Sequence, residues 1–247
     1  MRLQHTRSGV LEAWRWATMQ DMKTRLLYKF TKTEHALSFL KDGLIKIATL
    51  KDLNDPYDLV PCIVDAPPGF SIGAEKYRAL SLDWLSERHG LMCMSATCSD
   101  PVLWAHYADC HRGVALELNP EDDPNVFDVE YADERVAIPF AKIADPSRFL
   151  PEDMTALLRR KCRSWQYEKE VRFIMPLTYC TRRGDIFMLP LPDGFLHGII
   201  LGYGCPLDEQ TVRQKLDGGR FSSAVIKRAR LDDRTFEIHA VHNPDCK

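Results

Sequence analysis

Residues 91–118 constrain the fold of this chain most, because they combine two strand patterns with a capped helix and carry its densest set of reactive side chains. The run 91–95 is short and apolar, which is typical of a buried strand. Asp100 and the proline that follows it are typical of a helix N-terminus, and a helix is predicted over about 101–109. Alternating apolar residues then predict a strand over 114–118.

Strand patterns outnumber helical patterns in the rest of the chain. Residues 25–31 and 45–49 are predicted strands on either side of a helix at 33–44. Further strands are predicted at 126–131, 195–204, 224–231 and 235–241. Because these strands do not alternate regularly with long helices, we predict an α+β fold with a mixed, mostly antiparallel sheet, whole or split, and short helices.

Two regions are expected along the chain. Residues 1–24 are predicted to be a helical N-terminal extension, and residues 25–247 a single α+β domain. The 45% hydrophobic content is enough for a core, while a net charge of −2 gives no overall attraction to nucleic acid or to anionic lipid. The sequence contains no apolar run of membrane-spanning length, so we expect no membrane association and a cytoplasmic location.

The eight cysteines form no CxxC pair, which favours reduced thiols over a disulfide or zinc framework. One zinc arrangement is conceivable, because a short helix and its flanks could bring four ligands together. Its ligands would be Cys98, His106, Cys110 and His111. No paired zinc knuckle accompanies them, and we predict no metal site.

A second informative stretch, WQYEKEVRFIM, covers residues 165–175. As a strand it places Glu168, Glu170 and Arg172 on one face, with the two carboxylates about 7 Å apart beside a guanidinium. The alternative is an exposed sheet face on which the arginine pairs with both glutamates.

Two further clusters have competing interpretations. Asn54, Asp55 and Pro56 favour a tight turn, which is the structural alternative to a ligand-binding role for Asn54. Four basic residues within 159–163 suit either the C-terminus of the preceding predicted helix or a phosphate site.

Five motifs in order resemble family twenty-nine seventy-one of bacterial domains of unknown function, over roughly residues 26–241. The motifs are L-Y-K-F at 27–30, L-N-D-P-Y-D at 53–58, S-A-T through W-A-H-Y-A-D-C-H-R-G-V-A-L-E-L at 95–118, W-Q-Y-E-K-E-V-R-F at 165–173 and G-I-I-L-G-Y at 198–203. That resemblance carries no assigned chemistry.

The chain also resembles ADP-ribosyltransferases, which have three motif positions on a split mixed sheet. Lys29 stands at the first position, where those enzymes have His or Arg. Ser95 and Thr97, or Tyr107, stand at the second, and Glu170 with Glu168 at the third. The resemblance implies an ADP-ribosyltransferase-like fold and an enzyme that uses NAD to modify a macromolecular acceptor, nucleic acid or protein, as a bacterial toxin or antiviral defence effector with a neutralising partner.

The same resemblance implies roles for individual residues. A carboxylate near the ribose stabilises the positive charge that develops when the nicotinamide bond breaks, and this role goes to Glu170, while Glu168 accepts the acceptor's proton. The further catalytic candidates are His106 and Tyr107. The NAD-binding candidates are Tyr28, Lys29, Asn54, Ser95, Thr97, Trp104 and Arg172.

Three other functions remain open from the sequence. A nucleic-acid-binding or nucleic-acid-processing protein would use the basic residues on phosphates and aromatic rings on bases. These residues are Arg159, Arg160, Lys161, Arg163 and Arg172, with Trp104, Tyr107 and Trp165. A metal-dependent nuclease would need Asp55, Asp58, Glu168 and Glu170 around one cation. In a non-catalytic interaction domain, the cluster from Trp104 to His111 would form a buried polar network.

Overall fold

The computed structural model describes residues 25–70, 73, 76, 86–120, 123, 125–148 and 150–242. The predicted N-terminal extension, residues 1–24, lies outside the described residues. None of the described helices is long and apolar enough to cross a lipid bilayer.

Strands and short helices alternate irregularly. The strands are β1 (Leu27–Thr31), β2 (Leu44–Thr49), β3 (Cys62–Val64), β4 (His89–Ser95), β5 (Val114–Leu118), β6 (Val126–Asp128), β7 (Glu130–Ala132), β8 (Ala137–Pro139), β9 (Arg160–Cys162), β10 (Glu170–Pro176), β11 (Thr181–Arg183), β12 (Ile186–Pro190), β13 (Leu196–Leu201), β14 (Val225–Leu231) and β15 (Ile238–His242). The helices are α1 (Thr33–Asp42), α2 (Pro101–Tyr107), α3 (Phe140–Ala144), α4 (Pro151–Arg159) and α5 (Glu209–Leu216), with 3-10 helices at Leu50–Asp52, Pro146–Arg148, Arg163–Glu168 and Leu177–Tyr179.

Eleven of these strands form one sheet in the order β11-β12-β2-β4-β1-β5-β13-β14-β15, and β10 joins β4 to β6. Within it β13 and β14 are parallel, and the other pairs are antiparallel. Two further pairs, β3 with β8 and β7 with β9, form small parallel sheets. The prediction of an α+β fold with a mixed, mostly antiparallel sheet is confirmed.

The main sheet divides at β4. One edge of β4 pairs along its whole length with β10. The other edge pairs with β2 through Gly90 and Leu91 and with β1 through Ser95, at opposite ends of the strand. Strands β1 and β2 therefore diverge from a shared partner and leave an opening between them.

Strand β4 is buried on both faces, which explains its uninterrupted apolar sequence. Leu91 belongs to one hydrophobic cluster, packed near α4, while Met92 belongs to a larger cluster with residues of α1 and α5. Successive side chains of a strand point to opposite faces, so a strand covered on both sides has no place for exposed polar residues.

The segment 91–118 folds nearly as its sequence predicts. Helix α2 begins at Pro101, and its N-cap is Asp100, whose side chain accepts a hydrogen bond from the Val102 backbone N–H at 2.8 Å. It ends at Tyr107, two residues before the predicted end, because the chain enters the left-handed conformation at residues 109–111. Strands predicted at 25–31, 45–49 and 224–231 also form.

Candidate functional site

The Glu168–Glu170 segment is not the continuous strand that alternation predicted. Residues 163–168 form a 3-10 helix that ends at Glu168, and Lys169 adopts a left-handed conformation with φ 43° before β10 begins at Glu170. The strand prediction is therefore wrong for residues 165–169. The turn at Lys169 nevertheless leaves both glutamate side chains buried and directed at the same cation.

That shared cation is Lys161, in strand β9. Its ammonium Nζ lies 2.5 Å from Oε2 of Glu168 and 2.9 Å from Oε2 of Glu170, and its side chain is only 3% exposed. The Nζ atom also lies 5.0 Å from the centre of the Trp165 ring. Burial opposes the charged lysine, but Glu170 and Glu168 together raise its pKa above the usual range. Lys161 therefore stays charged.

Arg172 holds Glu170 from the other side. Its Nε donates to Oε1 of Glu170 at 3.0 Å and its Nη2 donates to Oδ1 of Asp58 at 2.7 Å, all within the protein interior. Burial opposes ionisation of Glu170, yet the Arg172 and Lys161 cations lower its pKa to about 2. Glu170 is therefore an anion at every physiological pH.

Glu168 has a different environment. Its Oε1 accepts a hydrogen bond from the Tyr107 hydroxyl, which in turn accepts one from Nδ2 of Asn54 at 2.9 Å. Ser95 donates to the backbone carbonyl of Glu168 at 2.6 Å. Burial raises the pKa of Glu168 despite the opposing effect of Lys161. Burial, together with the bond to Glu168, also raises the pKa of Tyr107, which keeps that hydroxyl protonated as a donor.

Both glutamates line a cavity of about 120 Å³, here called the carboxylate cavity. Its other polar or charged lining side chains are Tyr28, Lys29, Asn54, Cys93, Ser95, Tyr107 and Lys161. Strands β4 and β10 bring part of this set together, because Ser95 and Glu170 are register partners and Ser95 also pairs with Tyr28. Seven of the predicted site residues thus surround one cavity, in addition to the lysine at 161.

Lys29 lies at the opening between β1 and β2. Its ammonium donates to the Cys93 carbonyl of β4 at 3.3 Å, and burial lowers its pKa. Lys29 also lines a larger cavity of about 470 Å³, here called the split cavity, with Thr31, His35, Lys46 and Arg183 among its other lining residues. The two cavities therefore meet at one lysine.

Four predicted site residues do not line the carboxylate cavity. Trp104 is fully buried and donates to the Cys98 carbonyl at 2.7 Å, so the prediction that it stacks on a ligand is wrong. Arg172 is also fully buried, and its hydrogen bonds go to Glu170, to Asp58 and to the Leu158 backbone carbonyl. Thr97 bonds to Ser99 at 2.9 Å within the turn before α2. His106 is exposed and contacts the Tyr167 hydroxyl at 3.0 Å, away from both carboxylates.

Lys161 and Asp58 are the members of the ion-pair cluster whose pairing the sequence did not reveal, although both were candidates in the alternative functions. Lys161 was assigned with its basic neighbours to a helix C-terminus or a phosphate site, but the helix ends at Arg159 and Lys161 points inward from a strand. The need for a second cation could have been inferred from the sequence by electrostatics, because two buried carboxylates, Glu168 and Glu170, need more positive charge than Arg172 alone supplies. Asp58 follows the expected turn, in which the Tyr57 N–H donates to Asp55 at 2.9 Å.

The metal alternatives find no support in the described residues, which contain no group of three or more His, Cys, Asp or Glu side chains able to hold an ion. Asp58 and the two glutamates are instead paired with Arg172 and Lys161. Arg159 and Arg163, assigned to phosphates in the nucleic-acid alternative, pair with Glu130 and Asp133.

Comparison of the chain with protein-family models, with curated proteins and with solved structures finds no match in any of the three.

Proposed function

We propose that this protein is an ADP-ribosyltransferase-like enzyme that transfers the ADP-ribosyl group of NAD to a macromolecular acceptor. The observation that carries the proposal is a pair of carboxylates in one cavity with opposite pKa shifts. Glu170 is held as an anion with a pKa of about 2, while burial raises the pKa of Glu168. Two such groups suit one electrostatic and one proton-accepting role.

NAD supplies an N-glycosidic bond that breaks with its electron pair going to nicotinamide, while the acceptor nucleophile bonds to the anomeric carbon and gives up a proton. Glu170 is fixed by Arg172 and Lys161, so its negative charge is in place before positive charge develops on the sugar. Glu168 takes the acceptor's proton. Tyr107 orients Glu168 through a hydrogen bond to Oε1.

The charges of the site favour a ligand that becomes positive. Within the ion-paired cluster, three carboxylates, Asp58, Glu168 and Glu170, face two cations, Lys161 and Arg172, so the pairs leave one net negative charge when all five groups are ionised. Lys29 also lines the cavity, but burial lowers its pKa, so it offsets this charge less than an exposed lysine would. The position of the cluster inside the fold, with little water to screen it, strengthens its field.

The residues fit the two halves of NAD unequally. The carboxylate cavity has room for a ring and part of a sugar, and Tyr28 and Ser95 are among its lining residues. The rest of the dinucleotide requires the split cavity, which begins at the shared residue Lys29. Lys46 lines that cavity and supplies positive charge for the pyrophosphate.

The test is release of nicotinamide from NAD by the purified protein, measured chromatographically with water or macromolecules as acceptors. Glu170→Gln is expected to lower the rate by about two orders of magnitude or more, and Glu168→Gln to lower transfer more than hydrolysis. The matched control is Glu152→Gln, which changes an exposed glutamate on α4. Circular dichroism verifies that each variant is folded. If the wild-type protein neither binds NAD nor releases nicotinamide, the proposal is wrong.

A further inference from the structure

A third cavity, of about 320 Å³, shares Lys161 with the carboxylate cavity; we call it the arginine cavity. Its lining includes Tyr57, Asp133, Glu134, Arg135, Arg160 and Lys161. We propose that it binds one nucleotide of a single-stranded nucleic acid and that this nucleotide is the acceptor of the ADP-ribosyl group. The acceptor role rests on the proposed function, whereas the binding site does not.

Tyr57 supplies a stacking surface. Its side chain is 57% exposed although the backbone beside it is fixed by Asp55, so the ring is presented to solvent from an ordered turn. The guanidinium carbon of Arg135 lies 5.7 Å from the ring centre. An aromatic ring beside an arginine is the arrangement with which proteins stack unpaired bases, because every base has a π face.

Arg160 supplies a positive charge that the protein does not fully compensate. Its only ion pair among the described residues is a 3.8 Å contact with Glu130, which makes a shorter 2.8 Å pair with Arg159. Its buried Nε has no hydrogen-bond partner there. The neighbouring Asp133 is paired with Arg163 at 2.9 Å and so does not cancel this charge. A phosphate group is the ligand that such a guanidinium binds best.

The remaining lining suits the edge of a base. Glu134 is exposed and lies in the same cavity, where its carboxylate can accept hydrogen bonds from an exocyclic amino group. An aromatic face, a guanidinium and a carboxylate together match the three parts of a nucleotide better than they match an acidic peptide, whose carboxylates offer Glu134 no hydrogen-bond donor and would leave Tyr57 unused.

The shared lysine explains how the two sites would cooperate. Lys161 binds Glu168 in the carboxylate cavity and also forms part of the arginine cavity, so a nucleotide held there lies next to the proton acceptor. In the transfer step, a base nitrogen or oxygen forms the new bond to the anomeric carbon, nicotinamide leaves with the old bonding pair, and the base proton passes to Glu168. No further reactant is needed.

Binding is measured by fluorescence anisotropy with a short labelled single-stranded oligonucleotide of mixed sequence, in DNA and RNA forms, at low and high salt. Tyr57→Ala and Arg160→Gln are each expected to weaken binding by about tenfold or more, because a stacked base and a charged hydrogen bond are lost. Tyr57→Phe keeps the ring and should bind within about twofold of wild type. Arg182→Gln is the control for loss of a charge, because Arg182 is an exposed arginine on β11 that pairs with Asp185 and does not line the cavity.

The outcomes separate the two proposals. Nicotinamide release without nucleic acid should be unchanged in Tyr57→Ala and Arg160→Gln, whereas transfer to the oligonucleotide is lost. If wild type releases nicotinamide but binds no oligonucleotide, or if Arg182→Gln weakens binding as much as Arg160→Gln, the nucleotide site is wrong and the proposed enzyme stands. Displacement of the oligonucleotide by an acidic peptide of equal charge also overturns the nucleotide site. Oligonucleotide binding that depends on Tyr57 and Arg160, without nicotinamide release, supports the site and refutes the transfer reaction.

Discussion

Replacing Lys161 with methionine tests the electrostatic core of the site without assuming any activity. The lysine side chain is 3% exposed and makes charged hydrogen bonds of 2.5 and 2.9 Å to two carboxylates, so water cannot replace it. Removing one partner of a buried ion pair costs about 3–5 kcal/mol. Glu170 keeps Arg172 as a partner, so most of the cost should fall on Glu168, whose one remaining side-chain donor in the described part of the chain is Tyr107.

This cost should depend on pH with a definite sign. Without its cation, Glu168 has a pKa raised further above the value of about 4.3 in the unfolded chain. A carboxyl group with a higher pKa in the folded protein than in the unfolded chain lowers the free energy of unfolding once the pH exceeds its pKa in the unfolded chain. This destabilisation grows with pH until the pH passes the pKa of the group in the folded protein. The stability difference between wild type and Lys161→Met should therefore widen as the pH rises above the already raised pKa of Glu168 in folded wild type.

Urea unfolding followed by circular dichroism at several pH values measures this difference. Lys169→Met is the matched control, because Lys169 is exposed in the same segment, and it should change the free energy of unfolding by less than about 0.5 kcal/mol. Adding Glu168→Gln to Lys161→Met should remove most of the pH dependence. A difference that stays constant with pH, or a Lys161→Met variant as stable as wild type, would refute the reasoning.

Three further predictions concern single substitutions. The pKa of Glu170 is lowered to about 2, so it stabilises the fold above about pH 4 and that stability is lost as the pH falls; Glu170→Gln should flatten the acid-unfolding curve between about pH 4 and 2. Tyr107→Phe should cost about 1–2 kcal/mol in urea unfolding, because Glu168 loses a donor and Asn54 an acceptor. Gly202→Ala should cost about 1–3 kcal/mol in the same measurement, since its new Cβ would lie 2.2 Å from the His111 carbonyl oxygen. Gly204→Ala, 3.5 Å from a flexible Arg112 side chain, should cost less.

The parts of the fold that sequence could predict are those with local causes. The N-cap at Asp100 and the apolar run of β4 each depend on neighbouring residues, and both form as expected. The short strands β3, β8 and β9 have no such local signal. They form because distant segments pair, as when β7 pairs with β9, and three residues are too few for a pattern.

The same distinction between local causes and long-range pairing applies to the candidate site. The two glutamates could be singled out because they are two residues apart, although their convergence results from the turn at Lys169 rather than from a strand. Lys161 could not be assigned, because its role depends on the long-range pairing that turns β9 inward. Trp104 was misassigned because an aromatic ring in a polar motif has the same sequence whether it contacts a ligand or, as here, Phe30 in the core.

Strand β1 pairs with β4 and β5, and β2 pairs with β12, so the earliest strands of the sheet find their partners far along the chain. During synthesis, β1 and β2 therefore leave the ribosome with unpaired edges. They can form their sheet hydrogen bonds after the much later partner strands have been synthesised. Topologies dominated by such non-local pairing fold slowly and expose aggregation-prone edges meanwhile. A lower growth temperature, which weakens hydrophobic association between exposed edges, should accordingly improve the recovery of native protein.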